Sequence, residues 1–386
     1  MTTAVVSLTS DIKRKKWMRE GLVQNASKSF WSAYTGHTKD SIVFQKNKTD
    51  AKDGHTVVFD FTGNLSGKAV KGKDTAYGKG EQKKKFSETI TVERYRLVAD
   101  NGDSFDGVDI GDLNITQHSD SRTKLADLFI RFKDQALFDA AQGVKGGVDP
   151  THKINIDAST TALSYQDLAT VEKNLRTGTG MVSGLPDGTT TAGARAPLAP
   201  FRIADGRSIW LMVIDPYTAH NIRSNTTANS GIMAMAQTAD LRGNNNRVFK
   251  GLIGQIGALV LVEAEAFFGE TEGTDATALG LEQSEIEIAG MRQYDATNSA
   301  WSGQSAFATA EYSRNLILGA GALQIAFGKM PDYKFQPSQD FAIKSESAVE
   351  FWMESQKTNM TAENSDYKQA KVAAMDHGVV AFDVKL

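Results

Sequence analysis

The chain has 386 residues, of which 40% are hydrophobic and 23% charged, and its formal net charge is −3. This composition predicts a folded protein of two or three domains. The absence of cysteine excludes disulfides and thiolate metal ligands. No apolar run approaches the roughly 20 residues of a membrane-spanning helix, and the start lacks the order of a signal peptide. The near-neutral charge argues against broad binding to phosphate backbones.

The charge is unevenly distributed along the chain. Residues 1–99 carry 19 lysines and arginines against 10 acidic residues, a net charge of +9, so the remaining 287 residues carry −12. A basic part and an acidic part suit subunits that meet head to tail. The sequence leaves open the alternative that the two parts never meet.

The basic part predicts an arm and a projecting hairpin. Residues 11–34 have a loose helical pattern, typical of an amphipathic arm that needs another surface. Residues 55–65 and 86–98 alternate as strands do, and the 20 residues between them are rich in glycine and lysine. A structureless loop of that length is unusual in a compact domain, which favours a long hairpin. Because an isolated ribbon is marginal in water, we expect this one to lie on a neighbour.

The rest of the chain mixes helices and strands. The clearest helix is predicted over about 119–142, because apolar residues recur at helical spacing from Leu125 to Ala140 and Gly143 follows. The other predicted elements are an acidic loop over 100–112, a helix over 164–176, a loop over 177–200, buried strands over 207–216 and 252–267, a helix over 312–327 and a terminal strand over 377–386. Without a regular βαβ rhythm, the fold class is α+β.

Two patterns partly match known ligand sites. The segment from Gly67 to Asp74 fits G-x-x-x-x-G-K, but Asp74 stands where a phosphate-binding loop needs serine or threonine, and a strand follows instead of a helix. We interpret it as a flexible basic hairpin tip. Aspartates also recur three apart where an EF-hand needs carboxylates two apart, so we interpret them as solvated turn residues. They are Asp100, Asp103, Asp106, Asp109 and Asp112.

The residue types needed for catalysis do not combine into a known motif. Six histidines are scattered without a close ligand pair: His37, His55, His118, His152, His220 and His377. There is no G-x-S-x-G elbow and no thiol nucleophile. We therefore predict no catalytic residue, no metal site and no cofactor.

Lysines are densest in the predicted hairpin tip. They are Lys68, Lys71, Lys73, Lys79, Lys83, Lys84 and Lys85. Only Tyr77 and Phe86 supply aromatic rings nearby, which is few for a surface that stacks the bases of single-stranded nucleic acid. We favour contact with an acidic neighbouring subunit, and we assign the aromatic residues Trp17, Phe30 and Trp31 of the arm to inter-subunit contact as well.

Motifs in a characteristic order carry a family resemblance over nearly the whole chain. They are Lys16-Trp17, Lys28-Ser29-Phe30-Trp31-Ser32, Thr56-Val57-Val58-Phe59, Leu65-Ser66-Gly67, Gly80-Glu81, Thr91-Val92-Glu93-Arg94-Tyr95-Arg96, Ile214-Asp215-Pro216-Tyr217, Asn246-Arg247-Val248-Phe249-Lys250-Gly251, Leu318-Gly319-Ala320 and Asp376-His377-Gly378-Val379-Val380. The chain resembles the major capsid proteins of the coliphage N-four-like branch, which are similar in fold to the Hong Kong 97 capsid protein. His55, Arg247 and His377 depart from the family pattern.

The resemblance implies an order of structural segments. They are an N-terminal arm over 1–45, an extended loop over 46–98, a peripheral domain over 99–205, an axial domain over 206–344 and a C-terminal return to the peripheral domain over 345–386. The helix predicted over about 119–142 is the spine of the peripheral domain.

The resemblance also implies a function. It is that of a non-enzymatic major capsid protein whose pentamers and hexamers form an icosahedral shell around phage double-stranded DNA. Assembly is expected in the host cytoplasm, with scaffold, portal or decoration proteins as possible partners and no membrane. The alternatives are an encapsulin-like shell protein, another phage structural protein, and a nucleotide- or nucleic-acid-binding protein that uses the segment from Gly67 to Lys85.

Overall fold

The fold is taken from a computed structural model of the chain. It describes residues 29–47, 56–62, 69–80, 85–103, 113–143, 150–159, 162–178, 181–183, 191–193, 198–204, 207–225, 252–264, 290–291, 293–295, 300–302, 312–339, 344–359 and 376–385.

Helices and strands alternate irregularly through these residues. The helices are a 3-10 helix at Trp31–Tyr34, α1 (Leu113–Gln142), α2 (Tyr165–Thr177) and α3 (Pro216–Ser224). The strands are β1 (Thr35–Gly36), β2 (Val43–Asn47), β3 (Thr56–Thr62), β4 (Lys85–Thr91), β5 (Glu93–Asp103), β6 (Lys153–Asp157), β7 (Met181–Ser183), β8 (Thr191–Gly193), β9 (Arg202–Ala204), β10 (Arg207–Ile214), β11 (Leu252–Ile256), β12 (Leu259–Glu263), β13 (Gln293–Asp295), β14 (Ala300–Ser302), β15 (Tyr312–Leu318), β16 (Leu323–Gln339), β17 (Lys344–Lys357) and β18 (Val379–Lys385).

The long helix α1 packs against a five-stranded sheet. That sheet has the strand order β1-β2-β16-β17-β5, and Phe129 of α1 lies edge-on to Phe351 of β17 with ring centroids 4.7 Å apart. The predicted helix is confirmed, with an earlier start at Leu113. Its end is also confirmed, because Gly143 has φ +77° and its N–H donates to the Asp139 carbonyl.

A second, larger sheet carries the two shorter helices. Its main path is β11-β12-β10-β15-β18-β6-β7-β8, and its core includes Trp210, Leu168 and Ile222. The predicted helix over 164–176 is confirmed as α2, which Ser164 begins with a capping box shared with Asp167. The terminal strand is confirmed as β18.

A buried ion pair joins α1 to this second sheet. Arg314 on β15 lies opposite Asp383 on β18, and its Nε and Nη2 donate to the two carboxylate oxygens at 2.7 and 2.9 Å. Nη1 of Arg314 also donates to the carbonyl of Gln142 at the end of α1. One side chain therefore fixes the end of the helix relative to two strands.

The helix predicted over 312–327 is wrong. These residues form β15 and the start of β16, joined by a turn in which Gly321 has φ +62°. All side chains from Ser313 to Leu318 are buried, so both faces of the strand are covered. A continuous apolar run carries no alternation that distinguishes a buried strand from a buried helix.

Two strands predicted as continuous are each divided in the structure. Residues 252–263 form the hairpin β11-β12, with Gly257 at φ +58° in the turn. Residues 85–103 divide at Val92 into β4, which pairs with β3, and β5, which pairs with β17. The loop predicted over 177–200 contains the short pair β7-β8.

Other boundaries agree more closely. The predicted strand over 207–216 is confirmed as β10, and Pro216 begins α3 with Asp215 as its N-cap. Among the described helices, none is long and apolar enough to cross a membrane.

Candidate assembly surfaces

The predicted hairpin is confirmed as the antiparallel pair β3-β4. Its register pairs Thr56 with Thr91 and Thr62 with Lys85. Between the strands, residues 69–80 form turns, with Gly72 and Gly78 at positive φ. We call the strands β3 and β4 the hairpin base and residues 69–80 the hairpin tip.

The hairpin base is anchored on its own subunit. Phe59 is fully buried, and Val57, Ile90 and other apolar side chains of the base pack against Phe44 and Ala326 of the five-stranded sheet. The rings of Phe44 and Phe59 meet edge-on at 5.2 Å. The expectation that this ribbon has no partner within its own subunit is therefore wrong for the base.

Polar contacts also hold the hairpin base. Lys46 on β2 donates from Nζ to the Val58 carbonyl at 2.8 Å. Glu88, directly opposite Phe59, accepts hydrogen bonds from the Gln324 side chain at 2.8 Å and from the Asn359 backbone N–H at 3.1 Å. Burial, with a smaller contribution from the nearby charge of Asp376, raises the pKa of Glu88 to about 7 despite these donors.

The hairpin tip has the opposite character. All twelve residues of 69–80 are exposed, and Tyr77 is 95% exposed. Lys71, Lys73 and Lys79 lie on this surface. The turns that follow Lys73 place no helix N-terminus there, so the geometry of a phosphate-binding loop is missing from the described tip.

The remaining predicted lysines are only partly within the described structure. Lys85 begins β4 opposite Thr62. Lys68, Lys83 and Lys84 lie outside the described residues, as does Trp17 of the arm.

The aromatic pair of the predicted arm belongs to the subunit core. Trp31 is fully buried, with its ring 4.9 Å from that of Phe138 on α1, and Phe30 is half-buried against the same ring. Asp134 of α1 accepts hydrogen bonds from the Ser29 hydroxyl and the Phe30 N–H. This corrects the assignment of Trp31 to inter-subunit contact, because its side chain is enclosed by its own chain.

Sequence reasoning missed a second group of basic side chains. Arg94, Lys329 and Lys334 surround the carboxylate of Glu350 on the five-stranded sheet. They come from two strands, β5 and β16, which are distant in sequence and flank Glu350 on β17. Only the alternation of Arg94 and Arg96 in the sequence could have predicted an exposed basic strand face.

The candidate ligand sites gain no support from the geometry. Asp100 and Asp103 lie in β5 instead of a loop, and Asp106, Asp109 and Asp112 lie outside the described residues. Within the described ranges, no group of three or more histidine and acidic side chains could hold a metal ion.

Comparisons with known proteins identify the fold. The chain is similar to the capsid protein of Ralstonia phage GP4, with a TM-score of 0.63, 18% identity and coverage of 100% of this chain and 95% of that one. It is also similar to the capsid structure of Helicobacter pylori bacteriophage KHP30, with a TM-score of 0.61, 15% identity and coverage of 93% and 91%. For cyanophage Pam1 the TM-score is 0.56 at 14% identity, with 99% of each chain covered.

The chain has the Hong Kong 97-type phage capsid fold. Residues 5–176 also match the model of the phage capsid protein family. A search of curated proteins found no match. The α+β fold class predicted from the sequence is confirmed.

Proposed function

We propose that this chain is the major capsid protein of a phage and self-assembles through pentamers and hexamers into an icosahedral shell around double-stranded DNA. The observation that carries the proposal is the hairpin, whose base is held by its own subunit while its tip is fully exposed. A ribbon fixed at one end and exposed at the other is suited to contact an adjacent copy.

The proposed contact is electrostatic. The tip presents Lys71, Lys73 and Lys79, and the chain outside residues 1–99 carries the acidic excess. A single exposed ion pair contributes at most about 1 kcal/mol. A closed shell repeats each contact many times, so weak contacts act together. Heterologous contacts of this kind close into rings when the rotation between copies allows it.

The finer assignments rest on the resemblance seen in the sequence. We assign the chain to the coliphage N-four-like branch and keep the segment roles given above, with the arm at 1–45, the extended loop at 46–98 and the axial domain at 206–344. The proposed protein is not an enzyme, assembles in the host cytoplasm and encloses DNA without sequence-specific contact. Scaffold, portal and decoration proteins are its expected partners.

The test is assembly of the chain expressed alone. We expect closed particles by electron microscopy and a fast-sedimenting species in the ultracentrifuge. Changing Lys71, Lys73 and Lys79 together to Glu should leave a folded subunit with an unchanged circular dichroism spectrum, but should abolish the particles. Changing the same three lysines to Arg keeps the charge and should preserve assembly.

Two results would contradict the proposal. Normal particles from the glutamate variant would show that the tip lysines are not the contact. If the chain, with or without a co-expressed scaffold, remains a solitary subunit at high concentration, the shell function itself fails.

A further inference from the structure

One part of the five-stranded sheet presents a basic face away from α1. Phe351 of β17 packs on α1, so its neighbour Glu350 points to the opposite face. Arg96 lies directly across from Glu350 in the strand register, and Val98 lies across from Ala348. Arg96 is exposed and Val98 is 57% exposed, so this part of the face lies beyond the cover of the hairpin base.

Glu350 is the fixed centre of this face. Its side chain is only 5% exposed, and its carboxylate lies 3.0 Å from Nε of Arg94, 3.8 Å from Nζ of Lys329 and in hydrogen-bond contact with Lys334. Hydrogen bonds from Lys334 and Arg94 lower the pKa of Glu350 to about 2 against the effect of burial. One carboxylate on β17 therefore contacts three cations from the two flanking strands, β5 and β16.

The cations outnumber the carboxylates that they contact. Arg94, Arg96, Lys329 and Lys334 carry four positive charges. Glu350 and Asp332, together with Glu346 on the same face of β17, carry three negative charges, so these residues have a net charge of +1. The contact of Arg94 with Glu350 uses Nε, and a guanidinium has five N–H donors. The four cationic side chains therefore have capacity for further acceptors, and we call them the sheet cation cluster.

The acidic counterpart in the same protein is concentrated in one segment. Residues 265–289 contain seven aspartates and glutamates and no lysine or arginine. They lie outside the described residues. Their composition mixes these acids with leucine, isoleucine and phenylalanine, which matches a surface that carries both cations and an exposed valine.

Resting on the proposed function, we infer that the sheet cation cluster is a docking surface for the acidic segment 265–289 of a second copy of this chain. The carboxylates of that segment pair with Arg94, Arg96 and Lys334, and its apolar side chains cover Val98. A phosphate backbone is a poorer occupant, because it has no apolar side chain to cover Val98 and the chain as a whole is negatively charged.

The test measures docking apart from assembly. A fluorescent peptide of residues 265–289 is titrated with the full-length chain kept dilute enough to remain unassembled, and binding is followed by anisotropy. We expect binding that weakens with added salt. Changing Arg96 and Lys334 together to Gln should weaken it by about tenfold or more, whereas Arg96→Lys alone should change it far less.

Three controls separate the possible outcomes. A peptide with Glu282, Glu285 and Glu287 changed to Gln should bind weakly, and the glutamate variant of the tip lysines should still bind the original peptide. No binding of the peptide, or binding that the Arg96 and Lys334 variant leaves unchanged, overturns the inference. Tighter binding of a short DNA duplex that the same variant abolishes overturns it in favour of DNA. Particle formation by electron microscopy tests only the proposed function, so the two can fail independently.

Discussion

The two ends of one β-hairpin differ in what holds them. At the base, Phe59 is fully buried and Glu88 is bonded to two neighbouring segments of the same subunit. At the tip, Tyr77 is almost fully exposed. A single ribbon thus combines a part that belongs to the subunit core with a part whose side chains are exposed.

The difference follows from composition. The base strands alternate apolar and polar side chains, so one face can be buried. The tip has glycine, lysine and little apolar surface, so burying it within the subunit would gain little and would desolvate charges. Stability and assembly should therefore respond to mutations at opposite ends of the hairpin.

The largest effect is expected at the base. Phe59→Ala removes a fully buried ring from a cluster with Phe44 and Ala326, so it should lower the free energy of unfolding of the hairpin by about 3–5 kcal/mol. Urea denaturation gives the global loss, and hydrogen exchange of the β3 and β4 amides shows whether the hairpin detaches alone. Unchanged exchange would mean that the base does not depend on this ring.

A smaller effect is expected from pH at the same place. The pKa of Glu88 is raised from 4.5 to about 7 in the folded state, so the folded state binds the proton more tightly than the unfolded one. The stabilisation is therefore complete below pH 4.5 and is lost as pH rises through about 7. The urea midpoint of the unmodified chain should therefore be lower at pH 8 than at pH 5, and Glu88→Gln should remove the contribution of Glu88 to that difference.

Other buried carboxyl groups do not affect the comparison between the unmodified chain and the Glu88→Gln variant. Burial also raises the pKa values of Asp134 and Glu354. Because both residues are present in the unmodified chain and in the Glu88→Gln variant, their contributions cancel when the two pH dependences are subtracted. An identical pH dependence in the variant would show that Glu88 titrates normally.

The smallest effect on stability is expected at the tip. Tyr77→Ala removes a side chain that is 95% exposed, so the free energy of unfolding should change by less than about 0.5 kcal/mol. The same variant should raise the concentration at which particles form, measured by sedimentation. A large loss of subunit stability would show that the tip folds back onto its own chain.

The sequence alone determined the elements with strong local signals. The helical spacing from Leu125 to Ala140 with Gly143 as terminator predicted a helix that is present, and the glycine- and lysine-rich break between two alternating segments predicted a hairpin that is present. These patterns are local because they reflect a helix face, a cap or a turn that a short stretch of chain can specify by itself.

Tertiary structure decided the rest. Residues 312–327 are strands because β15 lies between β10 and β18 and is buried on both faces, a condition that no local periodicity reveals. Trp31 is a core residue because α1 brings Phe138 to it from about a hundred positions away. The sheet cation cluster likewise exists only because three strands meet around Glu350, and long-range pairing of this kind depends on the register of the whole sheet.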